Sequence, residues 1–256
     1  MLWQVLIEFV FRLAFGLTAA MAVTSARDVT SGFFRVHLWV GLGLNTFSAA
    51  VVATMPTQLP QSRPLLGISI LAATLSYVGS IFWLYEKATP GRWVLWFVTA
   101  VNLAGACFAS ASGESSPPFW AITLDSLSSG LLLGFTFSAM LLGHWYLNTP
   151  SMKMAPLQRL IILIGVAVLF RAVLGASGIL LGIAPGQLQS QAFLSFLALR
   201  WLAGLIGLAV LAWMSWQTLK IPNTQSATGI LYVAVIFAFL GELTSQLLSA
   251  QTPFPL

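Results

Sequence analysis

The stretch FWAITLDSLSSGLLLGFTFSAMLLGHWYLNTP, residues 119–150, decides the fold. It carries one charge, Asp125, in an apolar run longer than the ~20 residues that cross about 30 Å of hydrocarbon as a helix. It closes on Gly143-His144-Trp145-Tyr146-Leu147-Asn148-Thr149-Pro150. That ending has two readings. One is an interfacial belt, with Trp145 and Tyr146 at the headgroups and Asn148 and Pro150 stopping the helix. The other is a site for chemistry, because an imidazole beside Trp, Tyr and Asn makes a titratable, hydrogen-bonding corner.

Working outward, the same apolar texture fills the chain. Hydrophobic residues make up 58% and charged residues 7%, with a mean hydropathy of +0.91, which excludes a soluble globular domain. The expected fold is all-α: a polytopic integral membrane protein of about eight transmembrane helices. The spans run from about Leu2 to Thr24, Phe33 to Met55, Leu65 to Tyr85, Trp93 to Ser112, Phe119 to Leu147, Leu157 to Ile183, Gln191 to Leu219 and Ser226 to Ala250. Glu86, Lys87, Pro90, Gly91 and Arg92 read as a short polar turn before the fourth span, and Pro60 and Pro64 as a loop before the third. Glu8 and Arg12 interrupt the first run and no basic segment precedes it, so it reads as a retained span rather than a cleaved signal. The clearest break is Gly113 to Pro118. It divides residues 1–112 from 119–256, four spans each, which suggests two four-helix bundles. Ala20-Met21 and Ala139-Met140 are the faint trace of a duplication.

The net charge of +5 does not point to nucleic acid, because the basic residues stand singly and collect on one face. Arg27, Arg35, Lys87, Arg92, Lys153, Arg159 and Lys220 adjoin the turns after odd-numbered spans, against Arg63 alone on the opposite face. The positive-inside rule then makes the basic face cytoplasmic and puts both termini on the other side, periplasmic in a bacterial inner membrane. The one cysteine, Cys107, lies within an apolar run and reads as filler, so no thiolate-ligated cluster or zinc site is expected. Phosphate-cradling loops, HExxH and nucleophile-elbow motifs are absent from the sequence.

Two constellations remain. His37, just inside the second span, and His144, near the end of the fifth, fall at one depth on the basic face. With Trp145 and Tyr146 they are candidates to hold a quinone, since an imidazole can donate to a carbonyl or accept a quinol proton. As a metal site, His37 and His144 could supply the two axial nitrogens of one b-type haem. Headgroup contact is the bland alternative. The second constellation is Arg171, Arg200 and Glu242, on three successive spans inside the hydrocarbon, with Asp125, Glu8 and Arg12 available to balance charge. Such groups pair or face a wet cavity, so the set reads either as an ion-pair clasp or as a proton or anion pathway. Gly41, Gly43, Gly175, Gly178, Gly204 and Gly207 are expected to let helices approach closely.

The last span ends Phe239-Leu240-Gly241-Glu242-Leu243-Thr244-Ser245-Gln246, and Arg200 lies on the span before it. This stretch resembles the Gly-Glu-Leu helix of the polysulfide reductase and dimethyl sulfoxide reductase membrane-anchor family. The likeness covers the last quarter of the chain in sequence, and the remainder in span number and orientation. It departs at Ser245-Gln246, where an arginine often follows in that family. The resemblance implies eight spans, a quinone as cofactor, no haem in common members, and electrons passed to an iron–sulfur subunit. Neither histidine matches a motif of the family, so His37 and His144 rest on their shared depth. The sequence reading is therefore a quinone-interacting subunit of an electron-transfer complex, not catalytic alone, embedded in lipid with an iron–sulfur or cytochrome partner. The alternatives are a haem b subunit, a transporter or channel using the Arg/Glu set, and a structural lipid- or pigment-binding subunit.

Overall fold

The computed structural model describes residues 2–59, 61–111, 118–149, 151–182, 190–221, 223–250 and 252. Pro60, most of the break expected at 113–118, Pro150 and the end of the sixth span at Ile183 lie outside the described residues. All regular structure among the described residues is helical, and eight spans are long and apolar enough to cross a membrane, as the hydropathy pattern requires. They are α1 (Leu2–Val23), α2 (Ser31–Thr54), α3 (Ser62–Leu84), α4 (Ala88–Ser110), α5 (Phe119–Asn148) and α6 (Ala155–Gly182). The seventh span is α7 (Gln191–Trp201), a π-helical turn (Leu202–Gly207) and α8 (Leu208–Lys220), and α9 (Thr224–Ser249) is the eighth. The chain is an integral membrane protein in contact with lipid.

Three helices begin earlier than the polar residues suggest. Pro64, Pro90 and Pro156 all sit in first turns, where a missing N–H costs no helical hydrogen bond. The turn expected to run to Arg92 is therefore shorter, and Pro90, Gly91 and Arg92 are already helical. Gly91 is required there, since a Cβ would lie 2.8 Å from the indole of Trp83 on α3. That indole is buried and stacks on Phe34, with ring centroids 4.1 Å apart.

Helix contacts close into two rings. α1 packs on α2, α2 on α3, α3 on α4 and α4 on α1; α5, α6, the seventh span and α9 repeat the pattern. The rings meet chiefly through α1 against α5. These two helices are central: 89% and 78% of their apolar windows are buried, against 22% for the seventh span. At their crossing a Cβ on Gly16 would stand 1.7 Å from the Gly130 carbonyl oxygen, and one on Gly134 would stand 1.9 Å from the Gly16 carbonyl carbon. Only glycines allow this approach, which takes the place of hydrophobic driving force between helices in lipid. Gly41 meets Ser76 on α3 at 3.5 Å, but Gly43 faces open space, so the close packing expected of Gly43 is not found. It lies on an exposed face of α2.

Candidate functional site

Six charged residues of α1, α5, α6, α7 and α9 form one chain of alternating sign. Glu8 lies 3.9 Å from Arg12, one turn away. Arg12 Nη2 reaches Asp125 Oδ2 at 2.6 Å and donates to Ser110 at 3.1 Å. Asp125 pairs through its other oxygen with Arg171. Arg171 then donates from Nε to Glu242 Oε1 at 3.2 Å, from Nη2 to Ser245 Oγ at 2.9 Å and from Nη1 to Ser128 Oγ at 3.3 Å. Its Nη2 lies 3.1 Å from Glu242 Oε2, and Arg200 Nη1 lies 2.9 Å from Glu242 Oε1. This last contact is a charge pairing without hydrogen-bond alignment, and Arg200 Nε and Nη2 have no hydrogen-bond partner among the described residues. Arg12, Arg171, Arg200 and Glu242 are at most 2% exposed and Asp125 is 7% exposed.

Three cations and three anions make the belt neutral, so the whole net charge of +5 belongs to residues outside it. At 1.5 Å per residue, its members lie roughly 9 to 16 Å from the helix ends opposite the basic face. The belt therefore runs across the membrane plane at one level rather than along the normal. It is reached from the side at Asp125, by a cleft of about 40 Å³ between α5 and α6 lined mainly by Trp120, Leu124, Leu174 and Leu181. That is space for a few water molecules.

Local sequence explains how Arg200 arrives. A Cβ on Gly204 would be 2.6 Å from the Cα of Gly241, so these glycines, one turn after Arg200 and directly before Glu242, let the seventh span lie close on α9. The π-helical turn directly after Arg200 adds the irregular backbone that often marks functional positions. Of the glycines expected to pack, Gly204 does so backbone to backbone, Gly207 takes the ring of Phe237, and Gly178 lines the cleft.

At the basic face the four aromatic and histidine candidates separate. His37 is buried, and its Nδ1 lies 2.6 Å from the Phe33 carbonyl, which can only accept, so Nδ1 carries the proton. The His37 ring packs on Phe33 at 4.2 Å and edge-on to Trp145 at 6.1 Å. Trp145 in turn donates to Thr30 Oγ1 at 2.9 Å and ties α5 to the α1–α2 loop. Tyr146 is buried and spends its hydroxyl on the Lys153 carbonyl, fixing the turn into α6. Trp145 and Tyr146 thus hold loops. His144 is exposed and has a partner not anticipated from sequence: the Tyr232 hydroxyl of α9, 3.3 Å from Nδ1. Tyr232 is 46% exposed, among the outward apolar residues Val233 and Ile236. The one available signal was that Tyr232, near the start of a span entering from the basic face, falls close to the level of His144.

His37 and His144 share a level, since Trp145 touches His37, yet they turn to different neighbours. The His37 ring is packed between Phe33 and Trp145, and the His144 ring faces Tyr232. Among the described residues no group of three or more His, Cys, Asp or Glu is placed to hold a metal ion. Comparison with models of known protein families, with curated proteins and with solved structures finds no match to this chain.

Proposed function

We propose that this chain is the membrane-embedded, quinone-interacting subunit of an electron-transfer assembly, with the quinone ring held against His144 and Tyr232 at the lipid-facing end of α5. One observation carries the reading. The His144–Tyr232 pair is the imidazole–phenol contact that stands exposed beside outward apolar side chains, where a molecule dissolved in the bilayer can reach it. A phenol hydroxyl both donates and accepts. With Tyr232 donating to Nδ1, the proton of His144 sits on Nε2 and can be donated in a hydrogen bond to a quinone carbonyl. With Nδ1–H donating to Tyr232, Nε2 is free to accept a proton from quinol. Oxidising a quinol releases two electrons and two protons. The protein offers a group for one proton, and with a single cysteine it offers no cluster ligands for the electrons. A partner subunit carrying iron–sulfur clusters or haems is the acceptor in this reading. The resemblance of the Glu242 stretch to the anchor family supports the same assignment. The positive-inside rule supports a cytoplasmic basic face and termini on the other side, in a bacterial inner membrane.

The test is quinol oxidation by native membranes. Replacing a proton-transferring group typically costs 10²–10⁴ in rate. His144→Ala should lower the rate by about that factor with the subunit present at its normal level, and Tyr232→Phe by less. An unchanged rate in both variants would remove the quinone reading. A reduced-minus-oxidised spectrum of the same membranes should show no band that depends on His37 and His144 together.

A transport pathway through Arg171, Arg200 and Glu242 is the rival. A path needs polar groups through the thickness of the membrane, whereas the belt holds one level and pairs its charges with one another. This favours a clasp joining the two rings. Glu242→Gln that leaves assembly intact but abolishes movement of a solute or proton would reverse that preference.

A further inference from the structure

A cavity of about 410 Å³ opens on the basic face between the α1–α2 connection and the start of α4. Arg27 reaches it from the connection; Ala88, Thr89 and Arg92 reach it from the first turn of α4, and Trp93 and Trp96 form its membrane-side wall. This size belongs to ligand sites rather than to packing gaps. Its lining includes two guanidinium groups and no carboxylate. Asp28, next to Arg27, is turned elsewhere: its carboxylate pairs with Lys153 at 3.0 Å and accepts from Ser25. Among the described residues neither Arg27 nor Arg92 forms an ion pair. Trp93 and Trp96 are 65% and 45% exposed, and their one-turn spacing gives a continuous indole wall descending from headgroup level into the hydrocarbon.

We propose that this cavity binds an anionic glycerophospholipid, its phosphate held by Arg27 and Arg92 and its acyl chains laid along Trp93 and Trp96. Arginine matches phosphate oxygens with paired N–H donors, and the opening turn of α4 adds the positive end of a helix dipole. Basic pockets between spans are where membrane proteins take anionic headgroups. The indole wall sets the source of the phosphate. A soluble anion gains nothing from it, whereas a lipid buries two chains against it. The absence of a carboxylate sets the headgroup, because nothing in the lining meets the quaternary ammonium of a choline lipid. The site lies on a different pair of helices from His144 and Tyr232 and does not depend on the quinone reading.

The experiment is native mass spectrometry of the purified full-length protein titrated with phosphatidylglycerol or phosphatidylcholine, for wild type, R27Q/R92Q and R27K/R92K. Wild type should retain phosphatidylglycerol about tenfold more strongly than phosphatidylcholine, R27Q/R92Q should lose that preference, and R27K/R92K should keep part of it. Both arginines are exposed, so the variants should fold, and an unchanged elution volume verifies it. Equal retention of the two lipids by wild type, or an undiminished preference in R27Q/R92Q, would overturn the proposal. So would displacement of bound phosphatidylglycerol by millimolar inorganic phosphate, which would make the cavity a soluble-anion site.

Discussion

The belt through Arg12, Asp125, Arg171, Glu242 and Arg200 and the His144–Tyr232 pair are both polar, yet they occupy opposite situations. In the belt each central carboxylate lies between two guanidinium groups, serine hydroxyls take further N–H donors, and exposure is almost nil. At the His144 corner one contact of 3.3 Å joins two exposed rings, and the other imidazole nitrogen is left for something else. The difference teaches where to look for function. A charge paired with an opposite charge inside the protein holds helices together, and an exposed polar group contacted on one side only is available to a ligand.

Removing one member of the belt should produce the largest effect. Truncating one partner of a buried ion pair costs about 3–5 kcal/mol because the other charge stays behind unpaired. Arg171→Met, which leaves Asp125 with Arg12 alone and Glu242 with Arg200 alone and gives the buried belt one uncompensated negative charge, should abolish accumulation of the folded protein, read as loss of the monodisperse species in detergent. If that variant accumulates normally, the belt is no clasp and the comparison collapses. Next in size is the α1–α5 crossing. Gly134→Ala forces a methyl group into the Gly16 backbone, and overpacking of this kind costs about 1–3 kcal/mol. Thermal denaturation should show a lower midpoint, while Gly43→Ala, which meets nothing within 4 Å, should leave it unchanged.

The corner should behave in the reverse manner. His144→Ala and Tyr232→Phe should keep the melting temperature of wild type while quinol oxidation falls. His37→Ala should lower the melting temperature, because that ring is packed between Phe33 and Trp145. A His37 variant with normal stability and impaired oxidation would move the quinone contact to α2. The smallest effect concerns the loop that Trp145 anchors. Ser25 and Lys153 hold the Asp28 carboxyl below its usual range. A lowered folded pKa adds a contribution that is present above the ordinary carboxylate value and lost as pH falls through the lowered one. Hydrogen exchange of residues 25–30 should therefore quicken on acidification below about pH 4, and Asp28→Asn should remove that dependence.

Much of this was legible along the chain. The eight spans were readable because crossing a membrane is a segment property: about 20 apolar residues with internally satisfied backbone groups lower the free energy whatever their neighbours do. The belt's membership was readable too, since each charge inside hydrocarbon demands a partner and few were on offer. Gly130 and Gly134 have the spacing of a helix-packing motif, but spacing does not name the partner, and Gly16 stands alone in its helix. Tyr232 carried no signal beyond depth, and Tyr146, beside His144 in sequence, drew attention that its bond to Lys153 does not support.

Sequence by itself determined the number of spans, the basic face and the need for the buried charges to pair. Tertiary structure alone decided which charge pairs with which, which histidine is packed and which is open, and where the basic-face cavity forms. The physical reason is that in lipid the buried and the outward faces of a helix are equally apolar. Periodicity therefore does not reveal rotation about the helix axis. That rotation is set by contacts such as Gly16 on Gly134 and Gly204 on Gly241, between residues far apart in the chain.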